Sequence, residues 1–187
     1  LTVCMTLLIM LSGIAVRGTF FLSQQRRDLI LSWSQSQSVA DQYFRSITAA
    51  SIAAQGYVVT GAQRYAADFE REAAAYRSAE QRFREFRAIE LNADERKLLE
   101  RTIGASRDIQ KINERTVGLT ARNRSRDGLS LVYSEEYIGS RTALRDLHEN
   151  FNFELGKRIN LEIENLNRWV EFSMLVAILT LVANFLL

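Results

Sequence analysis

The sequence predicts an all-α protein, an antiparallel up-down-up-down four-helix bundle flanked by two transmembrane helices. The 187 residues include no proline, and helix-forming residue types such as Ala, Leu, Arg and Glu recur throughout, so little interrupts a helix. Apolar positions recur at alternating spacings of four and three residues, and the two-residue alternation of a strand is never sustained. Residues 1–16 and 172–187 are apolar and carry no formal charge.

The first apolar run continues past Arg17 through GTFFL. An arginine near a helix end reaches the headgroups while its stem stays in apolar surroundings, so residues 1–22 form the first expected span, near the roughly 20 residues a bilayer requires. A cleavable leader is the alternative for this run. Residues 172–187 read as a second span cut short, with a buried core helix as the alternative. Both ends look truncated, so the sequence is expected to be a piece of a longer membrane protein. Residues 23–171 form the expected bundle domain, a segment too long for the arginines at its borders to set its orientation.

Within that domain the first helix carries a seam of Leu29, Trp33, Ser36, Ala40, Tyr43, Ile47, Ala50, Ala54 and Tyr57. Small residues along it allow a second copy to approach closely, which predicts a parallel homodimer through the first and last helices. Gly56 and Gly61 then mark the helix turn, since glycine adopts positive φ at little cost; the alternative is a pair of helix glycines under a close-packed neighbour. The second helix repeats the spacing with Tyr65, Phe69, Glu72, Tyr76, Ala79, Phe83 and Phe86. Asn92 followed by Glu95 is a capping box that opens a third helix, with a seam of Leu98, Thr102, Ala105, Ile109, Ile112, Thr116 and Leu119. The stretch RNRSRDG, with Asp127 and Gly128, predicts a turn. A fourth helix starts near Ser134 or Glu135, buries Tyr137, Leu144, Leu147, Phe151, Leu155, Ile159, Ile163, Leu166 and Trp169, and enters the second span without a break.

The run GYVVTG, residues 56–61, followed by AQRYAADFEREAAAYRSAEQ, resembles the third type of CHASE sensory domain, in which Gly-Tyr-aliphatic-aliphatic-Thr-Gly precedes a Tyr-containing helix. The layout more loosely resembles the four-helix-bundle ligand-binding regions of bacterial chemoreceptors. Ala62 stands where that family often has an acidic residue. The resemblance implies a multi-pass protein of the bacterial cytoplasmic membrane with residues 23–171 in the periplasm or outside. It also implies a signal-input role, with a histidine kinase, a diguanylate cyclase or a chemoreceptor tail as the output module. The rival reading is a structural bundle for dimerisation or partner docking, with no small-molecule ligand.

Catalytic and metal chemistry find little support. The acid pairs Asp94-Glu95 and Glu135-Glu136 point to different sides of a helix, Cys4 is the lone cysteine, and His148 is the lone histidine and reads as structural. No phosphate-loop glycine pattern occurs and no polar cluster inside the bundle is evident, so no enzyme, cofactor or metal is expected. A net charge of +2 with interleaved acids argues against nucleic acid. The cations are 21 arginines against three lysines. Arg122, Arg124 and Arg126 cluster at the expected tip, with Arg64, Tyr65, Tyr133 and Tyr137 placed near the same end. Guanidinium groups beside tyrosines suit a small anionic ligand, against the alternative of plainly solvated charge. The expected partners are therefore a second copy, the lipid bilayer, and a small anion or a periplasmic protein.

Overall fold

A computed structural model describes residues 2–85 and 90–186, leaving the side chains of residues 2–5, 7–9, 11–12 and 184–186 outside the description. Phe86 of the second-helix seam and the side chain of Cys4 therefore lie outside the described residues. Among the described residues five helices form in order: α1 (Thr2–Thr60), α2 (Gln63–Glu85), α3 (Ala93–Ala121), α4 (Ser125–Val132) and α5 (Glu135–Leu186). The architecture is all-α, and the chain divides into two compact units, Leu1–Ser34 with Gly156–Leu187, and Gln35–Leu155.

In the unit Gln35–Leu155, the contacts between helices give the direction of each. Ala50 and Ala54 of α1 share a cluster with Phe69 and Ala73 of α2, while Tyr43 meets Phe83, so the two helices are antiparallel. Tyr43 reaches Ser106 and Ser51 reaches Asn113, which makes α1 and α3 parallel. Asp41 and Phe44 of α1 lie against His148 of α5, and Tyr137 of α5 reaches Asn113. The α1 face named from its spacing is the one that packs: Ser36, Ala40, Tyr43, Ile47, Ala50, Ala54 and Tyr57 are all buried.

The reversals use local chemistry. Gly61 has φ +66° and donates its N–H to the Tyr57 carbonyl at 2.8 Å, the left-handed stop of α1. Gly56 lies inside α1, where a Cβ would meet the Tyr65 ring at 2.6 Å; it permits close packing rather than the turn. The Asn92 side chain accepts from Glu95 N–H and the Glu95 carboxylate accepts from Asn92 N–H, both at 2.9 Å, so the capping box opens α3. Ser134 Oγ accepts from Tyr137 N–H at 3.2 Å at the start of α5.

The fifth element corrects the four-helix expectation. The chain reverses at Asn123, whose φ is 58°, while Asp127 and Gly128 fall inside α4 instead of forming a turn. Asparagine tolerates the left-handed region, and Gly128 is needed for approach instead. A Cβ on Gly128 would stand 2.7 Å from Val58 Cγ2, 3.1 Å from Thr120 Oγ1 and 3.3 Å from the Thr116 carbonyl. Gly128→Ala is therefore expected to destabilise the unit, with overpacking of about 1–3 kcal/mol offset by at most about 1 kcal/mol of helix propensity. Thermal unfolding checks this, and a melting temperature at or above that of the parent contradicts it.

The α3 face also differs. Thr102, Ile109 and Thr116 of the expected seam are buried, but Leu98, Ala105, Ile112 and Leu119 are only half-buried, whereas Leu99, Ile103, Ser106, Gln110 and Asn113 are buried. Ser106 and Asn113 turn inward because tyrosines on other helices pair with them, a relation that α3's own periodicity does not contain.

In the other unit, Ser173 Oγ donates to the Ala15 carbonyl at 2.9 Å and accepts from Thr19 Oγ1 at 2.9 Å. Two flanking spans were expected. Among the described residues one helix is long and apolar enough to cross a membrane, within Glu135–Ala183, and its apolar stretch is not buried. Part of the first run falls on side chains outside the description, although Met10, Ile14, Val16, Phe20 and Phe21 are exposed. Trp169, expected on the buried face, is 61% exposed.

Candidate functional site

The unit Gln35–Leu155 contains a polar layer that the sequence reading missed. Glu80 of α2 is nearly buried, and its carboxylate accepts from Tyr76 Oη at 2.8 Å, Arg84 Nε at 3.0 Å and Arg107 Nε at 2.9 Å. Ser106 bonds to both Tyr43 and Tyr76 and donates to the Ile103 carbonyl at 2.9 Å. Burial alone would raise the Glu80 pKa, but the hydrogen bonds from Arg107, Tyr76 and Arg84 prevail and hold it below the ordinary carboxylate value. Burial pushes both tyrosine hydroxyls up, so they stay protonated donors. This layer fixes charge in place between three helices. The signal for it in sequence was Tyr76 four residues before Glu80, an i,i+4 donor and acceptor on one face.

A second polar bridge lies further along. Asn113 Oδ1 accepts from Tyr137 Oη at 2.8 Å and Asn113 Nδ2 donates to Ser51 Oγ at 3.0 Å, so one α3 side chain ties α1 to α5. Above this bridge a groove of about 570 Å³ opens between α1 and α5. Its floor and walls include Ile47, Ser51, Ile109, Val132, Tyr137 and Leu144, and Gln55, Arg141 and Arg145 also line it. No Asp or Glu lines the groove. That size and apolar character suit a small-molecule site.

The site residues expected from sequence divide between three places. Tyr133 and Tyr137 both line the groove, Tyr133 68% exposed and Tyr137 fully buried with its hydroxyl committed to Asn113. Arg122, Arg124 and Arg126 are exposed around the α3–α4 reversal, where Arg124 pairs with Asp127 at 2.7 Å. Arg64 lies over the Tyr65 ring at 4.8 Å at the start of α2, and Tyr65 packs against Gly56. The structure thus brings Tyr133 and Tyr137 together with Arg141 and Arg145, cations that the sequence reading did not select. Spacing alone could have found them: residues 137, 141 and 145 lie four apart and share one helix face.

Below the groove, His148 stacks on Phe44 at 4.4 Å, with Asp41 Oδ1 3.5 Å and Asn152 Nδ2 3.1 Å from its Nε2. Among the described residues, Nδ1 has no hydrogen-bond partner. Burial pushes the imidazole below its ordinary value of 6.5, against the pull of Asp41 and Glu149. A depressed folded-state value means that this group's contribution to stability is complete above pH 6.5 and is lost as pH falls below it. Melting temperatures measured across that range are expected to decline toward acid, and His148→Gln should flatten the decline. An equal slope in both proteins contradicts the assignment.

Comparisons with protein-family models, with curated proteins and with solved structures gave no match to this chain.

Proposed function

We propose that this chain is the signal-input region of a bacterial transmembrane receptor, a sensor bundle of the CHASE-like kind suggested by residues 56–61. In this reading a stimulus taken up by the unit Gln35–Leu155 biases α5, and α5 passes the bias through the second span to an output module outside these residues. Two flanking spans root the bundle, which stands in the periplasm or outside the cell and pairs with a second copy.

The observation that carries the reading is the character of α5. It is a single helix from Glu135 to Leu186 with no proline; its N-terminal part lines the groove, and further on Phe172, Leu175, Ile178, Leu179 and Leu181 are all more than half exposed. An uncovered apolar stretch of this length is a liability in water and ordinary in lipid. An unbroken helix transmits a small displacement that a flexible linker would absorb. A stimulus needs only a few kcal/mol of differential affinity to reset a two-state balance.

A short run of glycines inserted beside Gly156 in the intact receptor tests transmission. Loss of the response with the bundle still folded is the expected result. A response that survives the insertion contradicts transmission through α5.

A further inference from the structure

We infer that the groove between α1 and α5 binds a small amphipathic carboxylate, with an apolar body against Phe44, Tyr133 and Ile138 and its carboxylate on Arg141. The inference rests on the sensor reading and gives it a ligand class. Charge argues first. Two guanidinium groups and no acid line the groove, so an anion meets attraction and no carboxylate repulsion there. The two arginines differ in their commitments. Arg145 sits 3.5 Å from Asp146 and 3.9 Å from Glu149, whereas Arg141 lies 6.0 Å over the Tyr137 ring and forms no ion pair among the described residues.

Geometry argues next. The Tyr137 ring is locked by burial and by its hydroxyl bond to Asn113, so the Arg141 guanidinium rests beside a rigid surface, which lowers the entropy cost of engaging a ligand. The planar fork of an arginine matches a carboxylate with two parallel hydrogen bonds. Gln55, across the groove on α1, makes no side-chain hydrogen bond among the described residues and offers a further amide donor. A single uncommitted cation suits a monoanion better than a phosphate dianion. Tyr133 and Ile138 on the groove wall are more than half exposed, so a ligand with a hydrophobic body covers apolar surface that a bare anion leaves wet. Ser51 and Tyr137 already spend their hydroxyls on the Asn113 bridge, which leaves Arg141 and Gln55 to set orientation.

Calorimetric titration of the whole chain in lipid nanodiscs tests this with three probes: phenylbutyrate, which has body and charge, phenylbutanol, which lacks the charge, and butyrate, which lacks most of the body. Phenylbutyrate is expected to bind, with the other two weaker by about tenfold or more. Arg141→Gln should bring phenylbutyrate down to the affinity of phenylbutanol while moving the melting temperature little, since Arg141 is exposed, forms no ion pair among the described residues and keeps only a long contact over the Tyr137 ring. Arg141→Lys, which keeps charge but loses the fork, should fall between. Absence of phenylbutyrate heat at millimolar concentration, equal binding of the acid and the alcohol, or undiminished binding by Arg141→Gln each overturns the assignment. The placement of the bundle across the membrane is decided separately, by labelling that needs no ligand, so a failed titration and a failed sensor reading remain distinguishable.

Discussion

Phe83→Ala is expected to lower the stability of the bundle by about 3–5 kcal/mol, the cost of removing a buried aromatic side chain that its neighbours cannot replace. Phe83 is 4% exposed, stacks on Tyr43 at 4.8 Å and meets the edge-on ring of Phe151 at 5.7 Å, so it joins α1, α2 and α5 at one level. Each aromatic pair adds about 0.5–1.5 kcal/mol beyond area burial. Against a total of about 5–15 kcal/mol for a small domain, this loss is a large share and should lower the melting temperature by about 10 °C or more. Phe83→Leu keeps most of the volume and should cost much less. Chemical denaturation checks both. A Phe83→Ala protein that unfolds at the parent's midpoint would remove the aromatic layer from the account.

Glu80→Ala should cost about 1–3 kcal/mol, because it strips the charged acceptor from the buried Tyr76 hydroxyl and leaves that donor only the longer contact to Ser106 at 3.2 Å. Arg84 and Arg107 are more open to water and recover hydration when their partner leaves, so they add less. Combining Glu80→Ala with Tyr76→Phe removes donor and acceptor together and should recover part of the loss. The Glu80 carboxyl is held below its ordinary value of 4.5, so its contribution is present above pH 4.5 and is lost as pH falls below it. A Glu80→Gln protein should therefore show a shallower acid limb than the parent. Identical acid limbs would show that Glu80 is not held ionised by its neighbours.

How far the sequence reaches depends on the range of the interactions. The α1 face and the Asn92 capping box rest on spacings within one helix, and both were legible. Gly61 was legible as a stop for the same reason, whereas Gly56 was assigned to the turn because the Tyr65 ring that needs its missing Cβ lies on another helix. The helix α4 was hidden by its own composition, since Asp127 and Gly128 favour a turn until Val58 and Thr116 are packed against Gly128. The inward polar face of α3 and the Glu80 layer stayed invisible because a buried polar side chain makes sense only beside its partner. For the candidate site, Tyr133 and Tyr137 were grouped with the arginines of the α3–α4 reversal. Arg141 and Arg145, on the same helix face, line the groove instead.

The most direct measurement of the receptor reading is the side of the membrane on which the bundle stands. Ser78 is exposed on α2, and with Cys4 replaced by serine a Ser78→Cys chain carries a single thiol. The account predicts that a membrane-impermeant maleimide labels that thiol in intact cells. Labelling only after the membrane is permeabilised would place the bundle inside and contradict it.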